Sequence, residues 1–332
     1  MYKSPPNIKY ISDIVSDAYG SSYDNTFLLF KSSQNIYHLI YSTLKISIVC
    51  FNLSNPKNFQ LISEFKHAHK DYIDNFRYSY HYKFKRDLIL SLSSGNNNIK
   101  IWNLNNWECI FNINNIYKFG IILSSCFLLD EILDYNFIVA CNFFLYKIVA
   151  VDISGNKEKN KEIETNISTN IFIDKYYDTK FSKYYIIIGN NSNVSSYDFV
   201  KGSLYHSYEA MNSTNHKSVI IYPDNKNNIV KLFCPCREGF LFIFNFHSGE
   251  IINKILCGSD NLIGICLWDE SYIFTGGKNK DLKLIDINKG EKIKEFFEHK
   301  QWICSIKTIK INNFGQILIT HGLDNKIKLW GI

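Results

Sequence analysis

The chain has 332 residues, of which 46% are hydrophobic, 16% aromatic and 20% charged, with a formal net charge of +6. That much apolar surface offsets the entropy of ordering and excludes wholesale disorder, while a positive charge spread along the chain gives nucleic acid only weak support as a partner. The first ten residues, MYKSPPNIKY, hold no apolar signal core, and the most apolar stretch, 137–151, is short and carries Asn142 and Lys147, so we expect no membrane span and an intracellular setting, cytoplasm or nucleus.

Abundant Ile, Tyr, Phe and Asn with only 5 prolines favour short strands joined by polar turns over long helices. The first apolar run is IKYISDIV at 8–15. A pattern then recurs along the chain: apolar, polar, apolar, large apolar, Asn or Asp, apolar. It reads IVCFNL at Phe51, IKIWNL at Trp102, IVAVDI at Val151, VSSYDF at Tyr197, LFIFNF at Phe244, LKLIDI at Ile285 and, with Gly at the fifth place, IKLWGI at Trp330. Successive anchors stand 41 to 51 residues apart, which is the length of a four-stranded propeller blade.

Ahead of several anchors lies a second apolar run ending in a polar turn: LILSL before SSGNNN, YYIIIG before NNSN, YIFTGG before KNKD and QILITHG before LDNK. Each pair reads as a hairpin, the second and third strands of one blade. A fourth run follows the anchor, as in VKGSLYHSY, HSGEIINKIL and NKGEKIKEFFEH, with Gly supplying the positive φ of a tight connection. The segment SGNKEKNKEIETN at 154–166 reads as a charged insert and a solvated loop. After Trp330 the seventh repeat has no fourth run, and 8–15 is the expected donor that closes the ring. The predicted fold is all-β: one seven-bladed β-propeller domain over 1–332.

Over nearly its whole length the chain resembles the WD40 repeat family, most closely in EHKQWICSIKTIKINNFGQILITHGLDNKIKLW. The resemblance implies a hydrogen-bonded set of His299, Thr320, Asp324 and Trp330, since a buried indole N–H and imidazole need partners. In the second repeat His69 and Trp102 match, but Asn96 stands where the Asp would fall. Glu238 and Asn279 stand at that place in the fifth and sixth repeats, and the sixth has Ile285 for Trp.

No motif proposes catalysis, a metal or a cofactor, and none is expected. CPC at Cys234–Cys236 lacks the second Cys or His pair of a zinc site, and HAH at 67–69 already commits His69 to its blade. GGKNKD at Gly276 lacks phosphate-loop spacing. The 9 cysteines lie mostly within apolar runs and read as buried thiols.

The expected role is therefore surface recognition: a non-enzymatic scaffold or adaptor subunit of a multi-protein complex, itself a monomeric propeller, that binds a protein or peptide on the channel-mouth face. HKDYI and HKQWI align residue for residue, which places Tyr72 and Trp302 at equivalent positions before an innermost strand as aromatic anchors. The third repeat carries Phe143, Phe144 and Tyr146 in a turn where other repeats are polar. The alternative is RNA or ribonucleoprotein binding through Lys217, Arg237, Lys278, Lys280 and Lys326.

Overall fold

The computed structural model describes residues 4–15, 18, 26–44, 46–114, 121–142, 145–166, 171–190, 193–209, 219–258 and 261–331. They form seven four-stranded antiparallel sheets. Blade 1 holds Phe27–Lys31, Tyr37–Ser42, Ile48–Asn52 and Gln60–Phe65; blade 2 holds Asn75–His81, Arg86–Ser93, Asn98–Asn103 and Cys109–Asn114. Blade 3 follows with Ile122–Asp130, Tyr135–Asn142, Lys147–Asp152 and Lys161–Glu164, and blade 4 with Phe172–Asp178, Lys183–Gly189, Val194–Asp198 and Ser203–Tyr208. Blade 5 comprises Ile220–Asp224, Ile229–Pro235, Phe240–Asn245 and Ile251–Leu256; blade 6 comprises Leu262–Leu267, Tyr272–Gly277, Leu282–Asp286 and Glu291–Phe296. Blade 7 has Ile303–Ile311, Gly315–Gly322 and Ile327–Gly331, and its fourth strand is the N-terminal Lys9–Val15.

The closing strand pairs antiparallel with Ile327–Gly331, Lys9 opposite Gly331 and Tyr10 opposite Trp330. First strands of neighbouring blades pack on one another, so they lie innermost, and the fourth strands lie outermost. All seven anchors occupy one register position. Phe51, Trp102, Val151, Tyr197, Phe244, Ile285 and Trp330 stand opposite Leu39, Ile89, Ile138, Ile186, Leu232, Ile273 and Leu318 of the second strands.

The core is divided among the blade junctions. Leu88, Leu90 and Leu92 face blade 3, while Ile89 and Trp102 face blade 1. A middle strand is covered on both sides, so it reads as a continuous apolar run; outer strands such as Cys109–Asn114 have one side in water. The large anchors fill the gap against the preceding blade's fourth strand. Trp102 meets Phe65 at 5.8 Å between centroids, Phe244 meets Tyr208 at 5.5 Å and Trp330 meets Phe296 at 5.5 Å.

One local reading needs correction, and a second holds with an exception. The charged segment 154–166 is more than a solvated loop: Lys161–Glu164 is the outer strand of blade 3, held by Ile163, which is buried among charged neighbours. The turn into the fourth strand has Gly at positive φ in blades 4, 5 and 6, at Gly202, Gly249 and Gly290, but blade 2 places Trp107 there at φ 57°. A bulky residue is strained in that region, and the Trp107 ring is held by stacking on Phe65 at 4.8 Å.

Candidate functional site

The antiparallel order gives the ring two distinct faces. The loops between blades and the turns joining second to third strands lie on one, here the upper face; the turns joining first to second and third to fourth strands lie on the other, the lower face. The upper face is the channel mouth, where the sequence leads one to expect a partner.

Blade 7 assembles all four residues of its predicted polar set. His299 Nδ1 lies 3.0 Å from Asp324 Oδ1, His299 Nε2 lies 2.8 Å from Thr320 Oγ1, and the Trp330 indole N–H donates to the same Thr320 oxygen at 2.8 Å. Burial pushes the Asp324 carboxyl up, but hydrogen bonds from His299 and from the Lys300 N–H outweigh it and hold the group below its ordinary value. The set ties the loop into blade 7 to its central hairpin.

Blade 2 builds half of this arrangement. His69 Nε2 lies 2.7 Å from Ser91 Oγ, which also accepts the Trp102 indole N–H at 2.8 Å. With Asn96 in place of an Asp, His69 Nδ1 and Asn96 Oδ1 both lack a hydrogen-bond partner. Burial, followed by the nearby Lys100 ammonium, pushes the His69 imidazole down to about 3.

Blade 6 replaces the set altogether. Gly258 stands four residues before Leu262, as His299 does before Ile303. A Cβ at Gly258 would come 2.3 Å from Lys283 Nζ, so the buried Lys283 ammonium, paired with Asp281 at 3.1 Å, fills the space of the absent imidazole. Thr275, at the Thr320 place, keeps an unpartnered Oγ1. The other blades have no hydroxyl there: Tyr41 apart, with its ring between, the position is Ala140, Ile188 or Cys234.

On the upper face Tyr72 is 45% exposed and Tyr146 is 55% exposed. Trp302 is half-buried under Lys278, whose Nζ lies 4.6 Å from the ring centroid, and its carbonyl accepts the Leu323 N–H. The aligned positions thus differ in presentation, because blade 6 sends a cation over one ring. Phe143 and Phe144 lie outside the described residues, as does Lys217. Of the other cations proposed for RNA, Lys326 pairs with Asp13 at 2.6 Å, and Lys278 is engaged with Trp302.

Sequence reasoning passed over the lower face. Its first-to-second-strand turns expose Tyr82 and Phe84 on blade 2, Ile132 and Leu133 on blade 3, Phe181 on blade 4 and Phe314 on blade 7. The signal was available in HYKFKR, DEILDY and TKFSK, where apolar side chains interrupt segments that only need to turn.

Among the described residues no group of three or more His, Cys, Asp and Glu gathers in metal-binding array. Cys234 and Cys236 are buried, and burial raises both thiols, Cys236 to about 12, so each stays protonated and unreactive. No protein-family model matches the chain, and no curated protein matches it.

Proposed function

We propose that the chain is a WD40-type propeller acting as a protein-interaction platform, a non-enzymatic adaptor subunit that takes a protein or peptide partner on its upper face. The observation that carries this reading is the pair of exposed aromatic rings, Tyr72 and Tyr146, on the face that also holds Trp302. Exposed Tyr and Trp side chains bury much area with few torsions to freeze, which makes them efficient anchors. Tyr72 and Trp302 sit on loops tied down by the His69 and His299 hydrogen bonds, which lowers the ordering cost of binding there. The family resemblance rests on the blade 7 set and on the common register of the anchors. An intracellular setting suits nine free cysteines, most of them buried.

The test is affinity purification with quantitative mass spectrometry, comparing the natural chain with a Tyr72→Ala, Tyr146→Ala, Trp302→Ala variant of unchanged circular dichroism. Loss of one stoichiometric protein from the variant supports the reading. An unchanged set of partners moves the binding surface off this face.

A further inference from the structure

We propose that the lower face at the junction of blades 2 and 3 is a second site, which binds an extended peptide segment carrying an arginine or lysine beside a large apolar side chain.

Two cavities meet there, with His81 in the wall of both. The inner one, about 260 Å³, has the rings of Tyr82 and Tyr135 and the carboxylates of Asp130, Glu131 and Asp134, against one cation, Lys83. The outer one, about 300 Å³, is mainly apolar, walled by Phe84, Leu88, Ile110, Phe111 and Ile153, with Arg86 and Ser154 as its polar members. Each is at or below the roughly 300–1,000 Å³ of a small-molecule pocket and fits one side chain. Two such cavities on either side of one histidine fit neighbouring side chains of one strand, whose same-side residues repeat at about 7 Å.

Charge and ring chemistry choose the occupant. Three carboxylates face one ammonium in the lining of the inner cavity, with Lys159 on Asp134 and Arg86 in the outer wall as the other cations of the junction, and two tyrosine rings add the aromatic faces that attract a guanidinium or ammonium. Asp130 is held by the Tyr184 hydroxyl at 2.8 Å and by the Leu133 N–H at 2.9 Å, so its carboxylate is positioned. Asp134 pairs with Lys159 at 2.6 Å, but both side chains are exposed and such a pair is readily exchanged. Glu131 has no ion pair among the described residues.

His81 is the independent sign of a built site. It is only 4% exposed; its Nδ1 accepts the Phe84 N–H at 3.3 Å, which leaves the proton on Nε2, and that donor has no hydrogen-bond partner. Asn136 stands beside it and favours its charged form, the Asn136 amide N–H donating to Asp134 at 3.4 Å. Other buried atoms also lack a partner, His69 Nδ1 and Thr275 Oγ1 among them, but the His81 donor stands in the shared wall of two cavities, where a peptide carbonyl reaches it once the side chains covering it shift. Around it Ile132, 94% exposed, with Leu133 and Phe84, forms an apolar rim of the kind that marks an interface.

The experiment selects a displayed random-peptide library on the purified full chain, and measures enriched synthetic peptides by fluorescence anisotropy. We expect enriched sequences to share Arg or Lys within three residues of a large apolar side chain. Affinity should fall about tenfold or more in Glu131→Gln, Asp134→Asn and in Phe84→Ser, and weaken with added salt. Both variants alter exposed side chains, and unchanged melting confirms their fold. Enriched peptides without a basic residue, peptides indifferent to both variants, or no enrichment at all would overturn the proposal. Peptides lost only in Tyr72→Ala belong to the upper face and also count against it. Self-association abolished by Phe84→Ser would assign the groove to a second copy of the chain instead.

Discussion

Tyr10, near the start of the chain, lies edge-on against Trp330, near its end, with ring centroids 5.5 Å apart and planes at 70°. The contact sits inside a strand pair that joins the two ends of the sequence in one blade, reinforced by Asp13, which bonds both Lys326 and Lys328 at 2.6 Å. Without that strand, Ile327–Gly331 would present an open sheet edge. Replacing Tyr10 with Ala is expected to lower unfolding free energy by about 1–2 kcal/mol, and replacing the fully buried Ile8 with Ala by about 2–4 kcal/mol. Urea denaturation measures both, and two neutral substitutions would mean that the ring is not closed this way.

Thr320 serves two donors or acceptors at once, and its loss should exceed that of one hydrogen bond. Thr320→Val keeps the shape but leaves the Trp330 N–H and His299 Nε2 unpartnered, at an expected cost of about 2–4 kcal/mol. Thr320→Ser keeps the hydroxyl and should cost about 1 kcal/mol, the share of a lost methyl. Equal stability of the Val and Ser variants in chemical denaturation would remove the polar set from the energetics.

Gly277, at the end of the second strand of blade 6, is required by space. A Cβ there would stand 1.8 Å from the Asn261 carbonyl oxygen, and backbone cannot yield as a flexible side chain does. Gly277→Ala is expected to destabilise by more than about 2 kcal/mol, or to prevent soluble expression. Gly155 has nothing within 4 Å, so Gly155→Asn at its φ of 91° is the mild control.

Among the histidines that burial lowers, three carry the largest shifts and contribute most to the response to acid. Burial pushes His38 down to about 4, partly opposed by Asp87, and pushes His69 and His321 down to about 3, with the nearby Lys100 and His299 adding to the effect. Each folded value lies below the ordinary histidine value of about 6.5, so the unfolded chain takes up protons first as pH falls. The stability these groups contribute is complete above about pH 6.5 and is lost as pH drops toward 4 and 3, by up to about 1.4 kcal/mol per pH unit for each. Urea midpoints between pH 8 and 4 should decline below 6.5, and His321→Gln should flatten the slope. A level profile across that range contradicts the assignment.

The repeat was legible because it rests on one register position that every blade must fill. Trp102 and Ile285 differ in chemistry yet stand opposite equivalent residues and pack toward the preceding blade, so the alternation of their neighbours survives in sequence. The blade 7 set was legible only through the family resemblance, which places a His, a Thr, an Asp and a Trp at His299, Thr320, Asp324 and Trp330. What escaped were features made across blades or by exceptions. The outer strand of blade 3 rests on the single buried Ile163 within a charged run. The Lys283 ammonium in blade 6 matters only because Gly258 vacates the space it enters. The lower-face cavities join side chains of blade 2 to those of blade 3, a juxtaposition that no single repeat encodes.

The most direct test of the proposed role is hydrogen exchange of the free chain against its complex with the purified partner. Binding on the upper face predicts slowed exchange at 67–74, at 145–147 and at 298–303, the loops that carry Tyr72, Tyr146 and Trp302. Unchanged exchange in all three segments, with protection confined to outer strands such as Cys109–Asn114 or Glu291–Phe296, would contradict it.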